Sequence, residues 1–137
     1  MKQFDLARGF ALVIGIVFLL VGILGFILNP TEGALLGIFA VNIEHNLIHL
    51  LVGILGIAAA FTGWPRLYAQ ILGIVYLLVG ILGFIPGLAP DGMLLGLVHI
   101  NLADNLLHLI VGAAAAIVGF LPVGRQALSG ESYGRAR

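Results

Sequence analysis

Apolar residues fill four long runs, at roughly 9–28, 43–61, 67–85 and 102–121, with short breaker-rich segments between them. A bilayer core about 30 Å thick is crossed by about 20 helical residues. Each run therefore predicts a transmembrane helix, and together they predict an all-α, integral membrane four-helix bundle. Asn29-Pro30, Gly63-Trp64-Pro65, Pro86-Gly87 with Pro90-Asp91-Gly92, and Pro122 mark the ends of the runs, because proline removes a helical donor and clashes with the preceding turn. Met1-Lys2-Gln3 is like the start of a secretory signal, but the run behind it is too long and no small-residue cleavage site follows. It is read as an uncleaved anchor. The chain divides into a membrane domain over 1–123 and a small, polar tail over 124–137 that is expected to be disordered.

The runs come from an internal duplication, with repeat one at about 9–62 and repeat two at about 67–121. Gly15 to Ile27 recurs as Gly73 to Ile85 with a single difference, Phe18 against Tyr76. Further on, Asn42, Asn46, His49 and Gly53 correspond to Asn101, Asn105, His108 and Gly112 after a one-residue insertion. Each repeat predicts a helical hairpin. Two crossings return the chain to its starting side, so the halves are expected to share one orientation, related by a pseudo-two-fold axis along the membrane normal.

Composition agrees with the pattern: 61% of residues are hydrophobic and 9% charged, against roughly 25% charged in a soluble domain. Six basic residues balance six acidic ones, which leaves no basic field for a nucleic acid. With no cysteine, thiolate chemistry and cysteine-ligated metals are excluded. Lys2, Arg8, Arg66, Arg125, Arg135 and Arg137 all fall on one side of the predicted spans, while Glu32, Glu44, Asp91 and Asp104 fall toward the other. The positive-inside rule then predicts a multi-pass plasma (inner) membrane protein with both termini cytoplasmic.

Leu-Leu-Val-Gly-Ile-Leu-Gly occurs at 19–25, 50–56 and 77–83, and glycines inside membrane helices point to close helix packing. The chemistry-bearing residues are Asn42, His45, Asn46 and His49 in the first repeat and Asn101, Asp104, Asn105 and His108 in the second. At 100° per residue, Asn42, His45, Asn46, His49, Gly53 and Gly56 lie on one helical face, with Glu44 pointing away. That face is predicted to meet protein. Asn42 and Asn101 suit the N-cap position, and His49 then lies about 10 Å along its helix.

Polar groups at such depth need partners. One reading pairs the Asn and His side chains across helices as a locking device with no cofactor, and makes the protein a structural or accessory membrane component, a homo-oligomer or a subunit on a larger membrane partner. The other makes the stripe a ligand site. His45 and His49 at i, i+4, with Asp104 and His108 from the second repeat, could surround a transition metal. Alternatively His49 and His108 could be axial ligands of a haem between the second and fourth helices. In both repeats these stripes are expected to face each other, with the second and fourth helices meeting near the symmetry axis. His99 is expected to be exposed, and Trp64, Arg66 and Tyr68 to anchor the boundary. The only serines, Ser129 and Ser132, lie in the tail, and no nucleophile sits beside a base, so no enzymatic activity is expected.

Val41 to His49, preceded by Leu35-Leu36-Gly37-Ile38-Phe39 and followed by Gly53, resembles the signature of the bacterial membrane family catalogued as domain of unknown function 4383. The resemblance spans about 5–121. It implies four spans, with His45-Asn46-x-x-His49 as the hallmark segment, and implies no particular activity or cofactor. The second repeat departs from it at Asp104.

Overall fold

Three of the four spans start on a side chain that takes a free backbone donor. The computed structural model describes residues 5–122; the tail over 124–137 and the cations Lys2, Arg125, Arg135 and Arg137 lie outside them. Helix α1, Leu6–Leu28, follows Asp5, whose Oδ1 accepts from the Ala7 N–H at 3.0 Å. Helix α2, Ile43–Phe61, is capped by Asn42, which accepts from the His45 N–H at 3.0 Å. Helix α3, Pro65–Leu82, begins on a proline that has no N–H to satisfy. Helix α4, Leu102–Phe120, has a full capping box: Asn101 accepts from the Asp104 N–H, and Asp104 Oδ2 accepts from the Asn101 N–H at 2.9 Å. All four are long and apolar enough to cross a membrane. Their outward side chains, among them Val13, Ile54, Ile74 and Ile110, are exposed, a surface suited to lipid. The chain is a multi-pass membrane protein built from two helical hairpins, α1–α2 and α3–α4.

The third helix stops at Leu82, short of the expected 85, because the chain ahead of Pro86 tightens into turns in which Phe84 and Ile85 donate to Ile81 and Leu82. Within each hairpin the helices touch through glycine, as the repeated motif predicts. A Cβ on Gly15 would lie 2.6 Å from the Ile57 nitrogen, and one on Gly73 would lie 2.6 Å from the Ala116 nitrogen. The same contact thus recurs in each repeat.

Arginine closes the opposite ends. Arg8 donates to the carbonyls of Ala60 and Thr62 at the end of α2, and Arg66 donates to those of Gly119 and Leu121 at the end of α4. Both neutralise unpaired carbonyls at the negative pole of a helix. Arg66 is therefore more than a boundary anchor. Tyr68 also departs from that expectation, since its hydroxyl donates to the Val52 carbonyl at 3.1 Å, inside the bundle. Trp64 is exposed.

The most extensive helix contact between the two hairpins is α1 against α3, and a buried cluster of Phe18, Leu72, Tyr76 and Ala115 joins α1, α3 and α4. The Asn/His stripes of α2 and α4 do face each other, with His45 and His49 beside His108, but the two helices meet through these side chains rather than by close backbone packing.

The connections opposite the arginines hold structure that the apolar pattern does not announce. Strands β1, Glu32–Leu35, and β2, Phe39–Asn42, form one antiparallel hairpin; β3, Met93–Leu94, and β4, Val98–His99, form another. Their turns carry positive φ at Leu36 and Gly37 (54° and 71°) and at Leu95 and Gly96 (52° and 70°). Ile38 donates to the Leu35 carbonyl and Leu97 to that of Leu94, closing each turn. This is the backbone of a type I′ turn.

Candidate metal centre

Each β-hairpin is gripped by the capping residue of the other repeat. Asn42 Nδ2 donates to the Leu97 carbonyl at 2.8 Å, and Asn101 Nδ2 donates to the Ile38 carbonyl at 2.7 Å. One turn further, His45 Nδ1 lies 2.8 Å from the His99 carbonyl, and Asp104 Oδ2 accepts from the Ala40 N–H at 2.9 Å. These polar groups seal the two repeats together through backbone. Asn46 Nδ2 donates to the Asn29 carbonyl at the end of α1 at 3.3 Å, and the amide oxygens of Asn46 and Asn105 would lie only 2.0 Å from a Cβ on Gly25 or Gly83.

A carbonyl can only accept, so the proton of His45 resides on Nδ1 and Nε2 presents a lone pair. That Nε2 is buried without a partner, as are Nδ1 of His49 and Nδ1 of His108. One ligating nitrogen from each of His45, His49 and His108 lies within 4.8 Å of those of the other two. The rings pack closely: His45 and His49 have centroids 4.3 Å apart, His45 and His108 5.9 Å. All three are at most 5% exposed.

Two aromatic rings border the cluster. Phe18 lies 5.2 Å from His49, and Tyr76 meets His108 edge-on at 5.0 Å, while Phe18 and Tyr76 touch each other at 5.5 Å. The Tyr76 hydroxyl is buried without a partner. A cavity of about 150 Å³ is bounded by α1, α4 and the β1–β2 hairpin, with His49 and Asp104 in its wall.

Of the eight polar residues singled out in the sequence, Asn42 and Asn101 cap helices and bridge the repeats, and Asn46 closes α1. Asp104 stands outside the histidine cluster, its Oδ2 engaged by two backbone N–H groups. Among the described residues no hydrogen bond joins an Asn side chain to a His side chain, so the mutual Asn–His lock is replaced by bonds to backbone. A haem between His49 and His108 would have to displace the His45 ring that packs beside both. His99 is half-buried on β4, with Nδ1 3.3 Å from Glu32 Oε1 across the two hairpins, where an exposed loop residue was expected. Phe18 and Tyr76 were not among the candidate residues. Their signal was present as the single difference between two otherwise identical stretches.

Residues 8–121 match the family described as Domain of unknown function (DUF4383), and the chain belongs to that family. No curated protein and no solved structure matches it.

Proposed function

We propose that this member of the DUF4383 family is a plasma-membrane protein that binds one transition-metal ion through His45, His49 and His108. The observation that carries the reading is three buried imidazoles that each offer a nitrogen within 4.8 Å of the others and each carry a buried nitrogen without a hydrogen-bond partner. Buried polar atoms are ordinarily satisfied, and an unpaired set of one type calls for a ligand. Nitrogens bound about 2.0 Å from a common ion lie roughly 3.3–3.6 Å apart. Small ring rotations would close the gap.

The distribution of Arg8 and Arg66 at one end supports cytoplasmic termini, which puts the cluster in the external half of the bilayer. The role is binding, in metal handling, sensing or electron transfer, rather than catalysis. A purely structural role has support of its own in the backbone bonds of Asn42, Asn101 and Asp104, but those bonds leave His49 and His108 without a task.

Metal content of the detergent-purified protein tests the reading. About one ion per chain is expected in wild type, lost in His49→Gln and His108→Gln at unchanged folding, because an amide is a poor substitute for a ligating imidazole. Wild type that is folded and binds no transition metal at micromolar concentration would sink it.

A further inference from the structure

We infer that the ion is monovalent copper, Cu(I), in a three-coordinate site. This rests on the metal-binding reading above and adds the charge and ligand number of the ion. The three donors are neutral imidazoles, and no carboxylate joins them among the described residues. The nearest acidic candidate, Asp104, spends Oδ2 on the N–H groups of Ala40 and Asn101. A divalent ion would thus bring two uncompensated charges into the bundle. The cost of burying charge rises with its square, so a divalent ion is penalised about four times as heavily as a monovalent one.

Ligand number points the same way. Zinc in protein sites takes four ligands, the fourth often a water in an open position. Here the Phe18 ring packs against His49 and the Tyr76 ring against His108, and no fourth His, Asp or Glu joins the three among the described residues. The Tyr76 hydroxyl is a neutral phenol, a weak donor for zinc. Imidazole suits copper, and Cu(I) is satisfied by three nitrogens while carrying a single charge.

The experiment is an anaerobic titration of the full-length protein in detergent with Cu(I) and Zn(II), each held by a chromogenic competitor, followed by X-ray absorption on the copper-loaded wild type. Expected are one Cu(I) per chain, an affinity for Cu(I) at least about 100-fold above that for Zn(II), and a shell of three nitrogens. His49→Gln and His108→Gln should each weaken Cu(I) binding by at least about 100-fold. The absorption measurement uses wild type alone, so it stands even if a variant fails to fold. Zinc bound as tightly as Cu(I), or a four-ligand shell, overturns the copper assignment and leaves the metal site in place. Binding of neither ion by folded wild type overturns both.

Discussion

His45 and Asp104 hold the same position in the two repeats and take opposite poles of the other repeat's backbone: His45 donates to the His99 carbonyl, and Asp104 accepts from the Ala40 N–H. Ala40 and His99 are themselves equivalent, two residues before the capping Asn42 and Asn101. A donor-bearing ring faces the carbonyl and an acceptor faces the amide. The divergence between the repeats at this position therefore has a hydrogen-bonding reason.

Asp104→Ala strands the N–H groups of Ala40 and Asn101 in a buried site, and should cost about 2–4 kcal/mol. Asp104→Asn keeps an acceptor oxygen and should cost about 1 kcal/mol. His45→Asp, which opposes two acceptors, should be worse than Asp104→Asn. Thermal unfolding in detergent ranks the three, and equal melting temperatures would show that the polarity match does not matter.

Asn42→Ala and Asn101→Ala each remove a helix cap and a bond between the repeats, and should each lower stability by about 1–2 kcal/mol. Since the two bonds share no partner, the double variant should be close to additive. A strongly non-additive cycle would mean that the β-hairpins open as one unit.

Gly15→Val and Gly73→Val push a side chain into the backbone at Ile57 and Ala116, and should each cost at least about 2 kcal/mol through separation of the paired helices. Gly63→Ala, with nothing within 4 Å of the added carbon, should be neutral. Comparable stability in all three would remove the close-packing role of the glycines.

Because the chain has no cysteine, a single introduced one reports its own side of the membrane. Glu32→Cys and Asp91→Cys should react with an impermeant maleimide in intact cells, and Trp64→Cys only after permeabilisation. The reverse pattern would invert the orientation and place the histidine cluster toward the cytoplasm.

The four spans were legible because nothing but a membrane helix explains apolar runs of that length, and the end of α3 was missed by about one turn because Pro86 acts on the residues before it. The β-hairpins were hidden. Leu36-Gly37 and Leu95-Gly96 lack the Asn-Gly or Asp-Gly pair that usually signals a type I′ turn, and leucine rarely takes positive φ. The caps Asn42 and Asn101 could be read from position, whereas their second partners could not: the carbonyls of Leu97 and Ile38 are main-chain groups that any residue would supply. Helix order was equally silent. The polar stripes showed which face of α2 and α4 meets protein, but nothing marked α1 and α3 as the helices with the most extensive contact between hairpins.

Two copies of one hairpin, placed alike, can contribute ligands only in twos. The first repeat offers His45 and His49, the second offers His108 and, at the place of His45, Asp104 turned toward an amide. One substitution converts an even set of four into an odd set of three, which no symmetric pair of identical hairpins could present. Joining the two halves in a single polypeptide is what lets one half drop a histidine while the other keeps it, so the covalent link between α2 and α3 permits an odd-numbered cluster as well as a folded bundle.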